Sequence, residues 1–176
     1  MKKIIYAIFL LACFLTVVCF VVFNFVFYPT KFENIVVKNA REYSLEPALV
    51  YAVIKTESNF DEKAKSKSNA LGLMQLLPTT ADWIAKELNV QFEESDLFVP
   101  EVNVRFGCFY LKYLYDRFGD TDVVVAAYNA GETKVKDWLD ENGKLDVKKI
   151  DYPETKNYLK KVKGCYQIYK NNELCV

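Results

Sequence analysis

Apolar residues crowd the front of the chain. Residues 4–28, IIYAIFLLACFLTVVCFVVFNFVFY, carry no charge, and only Thr16 and Asn24 interrupt the run. A signal-peptide core is ~7–15 residues long, whereas a helix crossing a bilayer needs ~20. The run therefore predicts a membrane-spanning helix, and no A-x-A cleavage pattern follows it. Lys2 and Lys3 precede it, which predicts an N-terminus on the inner side and everything after residue 30 outside. A long, removed signal peptide is the alternative. A lipoprotein reading at LLAC, ending at Cys13, conflicts with the apolar residues that continue past it.

Beyond residue 34 the period becomes helical. Pro47 suits a first helical turn, and Leu49, Val53 and Glu57 follow at i, i+4 and i+8 on one face. SNFDEKAKSKSNALG is polar and turn-like. LPTTADWIAKEL predicts a helix capped by Thr79 or Thr80, with Trp83, Ile84 and Leu88 inward. VNVRFGCFYLKYLYDRF predicts a long helix with Val102, Phe106, Tyr110, Tyr113 and Arg117 along one side. TDVVVAAYNAG predicts a short buried helix stopped by Gly131, and TKVKDWL a further turn or two. A last helix from about Glu154 keeps Tyr158, Val162, Cys165 and Tyr169 in register. Strand signals are weak, with room for a small hairpin in NALGLMQLL. The pattern predicts two parts: an anchor over residues 1–30, and one mainly α domain over 31–176.

Composition narrows the chemistry. Basic and acidic residues balance at 23 each, and without Lys2 and Lys3 the outer part is slightly acidic. With no basic stripe, nucleic acid is not expected as a partner. There is no histidine, which removes Ser-His-Asp triads, Cys-His dyads and nearly all zinc sites. No metal or organic cofactor is implied. Of five cysteines, Cys13 and Cys19 fall in the apolar run. Cys108 reads as a small core residue, and a Cys165–Cys175 disulfide is conceivable in an oxidising compartment.

That leaves carboxylates, amides and tyrosines to carry any reaction. Glu57 shares its helix face with Leu49 and Val53, so it points where a core should be. A carboxyl held among apolar neighbours keeps its proton to higher pH and can then deliver it to a leaving group. On periodicity alone, a helix-end carboxylate turned to solvent is the commoner outcome. Paired-carboxylate glycosidases need two acids at ~5–5.5 Å or ~6.5–9.5 Å. Glu57 has no acidic partner on its own face, since Asp61 and Glu62 lie beyond the helix end. Three other stretches hold polar groups at turns and helix ends. They are ALGLMQLLPTT (Gly72, Met74, Gln75), AAYNAG (Tyr128, Asn129) and YPETKNYLKKV (Glu154). Gly72 would let the backbone approach a ligand closely. Taken singly, each is ordinary capping or core.

Read in order, they form a pattern: ESNF, GLMQLLP, P-x-x-N-x-x-x-G-x-x-Y-L on Pro100, Asn103, Gly107, Tyr110 and Leu111, then AYNAG, then ET-x-x-Y-x-x-x-V. This resembles the soluble lytic transglycosylase catalytic domain of the goose-type lysozyme-like superfamily, over about residues 35–170. The resemblance implies a lysozyme-like fold that cleaves the β-1,4 bond between N-acetylmuramic acid and N-acetylglucosamine in peptidoglycan. It implies cleavage without water, leaving 1,6-anhydro ends, with one glutamate acting as acid and then base. By position that glutamate is Glu57. It further implies substrate contacts or cleft roles for Ser58, Met74, Gln75, Tyr128, Asn129 and Glu154, with Tyr128 facing the carboxyl and Glu154 supporting the cleft through Tyr128 or substrate. Leu77 and Asn69 depart from the pattern, which favours methionine and glycine there. The implied location is the cell membrane, single-pass, with the catalytic domain outside and glycan strands as the partner. Two alternatives stand: a muramidase that admits water, and a non-catalytic wall-binding or envelope-assembly protein.

Overall fold

The computed structural model describes residues 2–171, with the side chains of residues 7, 20, 21 and 23–26 left aside. It divides after Lys31 into two compact units. The first is a single helix, α1, Lys2–Phe27. At ~1.5 Å per residue it reaches roughly 39 Å, more than the ~30 Å of a bilayer's hydrocarbon. Its large side chains, Phe9, Leu11 and Phe14 among them, are exposed, and it is long and apolar enough to cross a membrane.

The second unit is helical. It comprises α2 (Glu33–Glu42), α3 (Pro47–Glu57), α4 (Pro78–Glu87), a 3₁₀ helix (Glu94–Phe98), α5 (Pro100–Phe118), α6 (Thr121–Ala130), α7 (Glu132–Lys136) and α8 (Pro153–Asn171). No strand forms among the described residues. The expected hairpin in NALGLMQLL reduces to two isolated bridges, Lys65 to Leu71 and Leu71 to Leu76. Left-handed backbone at Asn69, Gly72 and Gln75 breaks any extended run there.

α3 is the central helix. Pro47 occupies its first turn, and every residue from Ala48 to Ile54 is buried. An apolar helix with no polar face belongs inside a domain. α8 packs along it, with Tyr51 and Tyr169 stacked at 5.2 Å. α6 starts on Asp120, whose carboxylate accepts from the backbone N–H groups of Asp122 and Val123, and ends at Gly131 with φ 87°.

One expectation fails in detail. The cap of α4 is Leu77, with Pro78 in the first turn, so neither Thr79 nor Thr80 precedes the helix. Proline's fixed φ starts the helix without a side-chain cap. On α5 the buried face is Asn103, Val104, Gly107, Cys108, Leu111 and Leu114 with Phe106, while Val102, Tyr110, Tyr113 and Arg117 lie on the wetter side. Cys108 is core as expected, and Cys165 is half-buried and free. Cys175, and the pairing considered for it, lies outside the described residues.

The segment between α3 and α4 has almost no regular structure, yet it is held firmly. Asn103 of α5 is 0 % exposed and does the holding. Its Oδ1 accepts from Met74 N–H at 2.7 Å. Its Nδ2 donates to Leu71 O at 2.9 Å and Leu97 O at 2.8 Å. Gly72 lies against this amide with φ 75°, and a Cβ there would sit 2.1 Å from Leu97 O and 2.3 Å from Asn103 Nδ2. The glycine makes room for the protein's own amide rather than for a ligand. Gly107 similarly accepts the Met74 side chain, with a Cβ meeting Sδ at 2.2 Å. The two differ in what must yield. Gly72→Ala meets backbone and carries a positive φ, so it should lower stability by about 3 kcal/mol or more. Gly107→Ala meets a flexible thioether and should lower it by roughly 1–2 kcal/mol. Urea unfolding of both variants checks the order, and equal losses would contradict this account.

Candidate active site

Glu57 is the last residue of α3, and Ser58 caps the helix. The apolar helix carries the carboxyl to the edge of the core, where it is half-buried. Its pKa is pushed up to about 7 from 4.5. Burial is the main cause, since taking the carboxylate from water disfavours it. The Tyr158 hydroxyl opposes the rise, and the negative charge of Glu154 adds to it.

Two side chains expected at the site, Tyr128 and Glu154, are joined around Glu57 by Tyr158, which the sequence had given no role. Tyr128 and Tyr158 are both pushed well above the ordinary tyrosine range, by burial first and then by the Glu57 charge. Glu154 stands exposed in the first turn of α8. Tyr128 Oη donates to Met74 O at 2.9 Å. Its one proton is thereby placed on that carbonyl.

The other expected contacts are taken up by the protein itself. Ser58 Oγ donates to Leu73 O at 2.8 Å, with Ile54 O at 3.2 Å, and so ties the end of α3 to the 71–76 turn. Gln75 donates through Nε2 to Gly72 O at 2.9 Å and Ala64 O at 3.1 Å. It holds φ 48°, in the left-handed region. Asn129 Oδ1 accepts from the buried Thr155 hydroxyl at 2.8 Å, joining α6 to α8. Met74 corrects the expectation of a cleft-lining thioether. Its side chain is 0 % exposed and packs on Gly107. What it offers the site is its backbone carbonyl.

Tyr158 is the residue that periodicity placed on α8 without a role. Its hydroxyl is fully buried and has no hydrogen-bond partner of ordinary geometry among the described residues. The carboxyl it influences is Glu57. Such contacts are often long in an unliganded enzyme and tighten as charge develops. The signal for it was the tyrosine of ET-x-x-Y, three residues after Thr155. Tyr158→Phe removes the group that favours ionised Glu57. The carboxyl then holds its proton to still higher pH, and the alkaline limb of kcat/KM should move upward. A pH–rate profile measures this. An unmoved limb would take Tyr158 out of the site.

The fold and the site together define a mainly helical, lysozyme-like domain. Residues 34–150 match the family model described as the transglycosylase SLT domain, and the chain belongs to that family. It is 31 % identical over 152 residues to the soluble lytic murein transglycosylase of Salmonella typhimurium, covering 82 % of this chain and 24 % of that one. It is also 31 % identical over 173 residues to membrane-bound lytic murein transglycosylase C of Histophilus somni, covering 81 % and 48 %. Among solved structures it is similar to an inactive glutamate-to-glutamine mutant of the Pseudomonas aeruginosa lytic transglycosylase Slt. The TM-score is 0.77 at 29 % identity, covering 84 % of this chain and 25 % of that one. The chain thus spans about a quarter of the soluble relatives it matches.

Proposed function

We propose that the chain is a peptidoglycan lytic transglycosylase anchored in the membrane by residues 4–28, with residues 31–176 as its catalytic domain outside. The observation that carries the reading is Glu57, a half-buried carboxyl whose pKa of about 7 leaves it partly protonated at neutral pH. Glu57 gives its proton to the glycosidic oxygen as the bond to the muramoyl anomeric carbon breaks. The resulting carboxylate takes the proton of the muramoyl 6-hydroxyl, whose oxygen closes on that carbon. The 1,6-anhydro ring forms, Glu57 recovers its proton, and no water enters the products. Glu154 is the one acid whose charge is felt at Glu57 among the described residues, and it is solvent-exposed. That favours a single working carboxyl. Tyr128 and Tyr158 flank it, and Ser58, Gln75 and Asn129 fix the frame around it.

The names of the relatives support this reading, as does a neighbour whose inactive form carries a glutamate-to-glutamine change. α1 and the paired lysines before its apolar run support the anchor and its orientation. The test is full-length protein in detergent on purified peptidoglycan, with released muropeptides weighed by mass spectrometry. Products one water lighter than hydrolysis products are expected. Ordinary reducing ends would mean a muramidase, and no product would mean a binding or assembly role.

A further inference from the structure

Four half-buried aromatic rings lead away from Glu57 along the wetter side of α5. Tyr128, whose pKa responds to the Glu57 charge, lies 5.4 Å from Tyr110. Tyr110 stacks on Tyr113, one turn on, at 6.2 Å and 13°. Trp83 of α4 sits against both, at 6.3 Å and 4.8 Å. The run ends in polar groups. Tyr113 Oη donates to Glu132 Oε2 at 3.1 Å and accepts from Arg117 Nη1 at 3.0 Å. Arg117 Nε pairs with Glu132 at 2.9 Å, and its guanidinium stands 5.3 Å over the Tyr113 ring.

Core packing accounts for only part of this run: Trp83, Tyr110 and Tyr128 pack one side against the buried cluster around Leu71, Ile84, Leu97 and Phe106. The buried face of α5 is supplied by other residues, and these rings keep part of their surface in water. Tyrosine and tryptophan offer large, rigid, amphipathic contact area with little entropy to lose, which is why they and arginine dominate binding surfaces. A pyranose presents C–H groups on its faces and hydroxyls at its rim. Ring faces that end in an arginine–glutamate pair complement both. The pair is neutral overall, which suits an uncharged sugar with its acetamido group better than a charged stem peptide.

We propose that Trp83, Tyr113, Arg117 and Glu132 form a distal subsite for a further sugar of the same glycan strand whose bond lies at Glu57. The proposal rests on the transglycosylase reading for its ligand and on the unbroken ring contacts for its place. A strand reaching the subsite is held in register, so long glycans are better substrates than the shortest cleavable fragment.

The experiment uses full-length protein in detergent, uncross-linked glycan strands prepared from peptidoglycan, and a tetrasaccharide cut from them. Trp83→Ala should lower the ratio of kcat/KM on strands to kcat/KM on tetrasaccharide about tenfold, and Trp83→Phe should restore most of it. A structural role would lower both rates together and leave the ratio unchanged, which would overturn the subsite. Fluorescence supplies a readout independent of turnover. The chain has two tryptophans, and Trp138 is 1 % exposed and shielded from ligand. Strands added to Glu57→Gln protein should change the emission of Trp83, and the change should vanish in Glu57→Gln/Trp83→Phe. Binding by this readout without cleavage by wild type would sink the transglycosylase reading and leave the subsite standing. A silent Trp83 with an unchanged ratio would sink the subsite alone.

Discussion

Glu57→Gln is expected to abolish glycan cleavage and, above neutral pH, to make the protein more stable. The activity loss follows from a mechanism with one proton-handling group. General acid–base catalysis by a placed side chain contributes about 10²–10⁴-fold, and Glu154, the one acid whose charge is felt at Glu57 among the described residues, is solvent-exposed. A fall of about a thousandfold or more in kcat is expected. Near-normal turnover would remove Glu57 from the chemistry. The stability gain follows from the raised pKa. Between about 4.5 and 7 the folded protein holds a proton that the unfolded chain releases. Wild-type stability therefore falls as pH rises through that window and levels off above the folded pKa. The shift from 4.5 to about 7 corresponds to roughly 3 kcal/mol, taken at 1.36 kcal/mol per unit. Glutamine carries no such penalty. The variant should gain about 2–3 kcal/mol over wild type at pH 8 and almost nothing at pH 4. Denaturant unfolding at the two pH values checks the sign. A variant less stable at pH 8 would mean that the carboxylate is well accommodated in the fold.

Asn103→Ala is expected to cause the largest loss of stability of any single polar truncation in the domain. The change strands three backbone groups at once: Met74 N–H, Leu71 O and Leu97 O. A buried polar group left without its partner costs about 1–3 kcal/mol. Some relaxation is available, so the sum should come to about 3–5 kcal/mol, or roughly 10–15 °C in Tm at this size. Activity should fall further than the folded fraction alone explains, because the 71–76 turn supplies the carbonyls to which Ser58 and Tyr128 are tied. Asn103→Asp sharpens the test. It keeps the acceptor for Met74 N–H but loses both donors and adds a buried charge, so it should do no better than alanine. A loss below about 1 kcal/mol in either variant would show that the turn holds itself.

These two residues mark the range of what the sequence made legible. Glu57 stood out at the end of a mostly apolar helix, and although periodicity alone favoured a carboxylate turned to solvent, the family pattern fixed its position. Asn103 was visible only as a letter in that pattern. Hydropathy reads asparagine and glycine as exposed, so nothing in the periodicity put Asn103 and Gly107 on the inward face of α5. The 61–77 segment carried no period because side-chain–backbone bonds and left-handed residues order it. Met74 looked like a cleft residue because it adjoins Gln75, yet neighbours in a tight turn face opposite ways. Tyr158 had the right register, but nothing in the chain said that its hydroxyl would come to the carboxyl from the far end of the domain.

Ser58 and Tyr128 both end on carbonyls of the main chain, those of Leu73 and Met74. A carbonyl is present whatever side chain a codon specifies. These two ties thus do not depend on which side chains stand at 73 and 74, whereas the turn that carries them does depend on Gly72 and on the buried Leu71 and Leu76. A library at Lys67, Ser68 and Leu77, the exposed positions that flank this turn, would vary what a glycan meets while leaving the ties to Glu57's helix in place, which makes the flanks the natural place to retune the proposed activity for other polysaccharides.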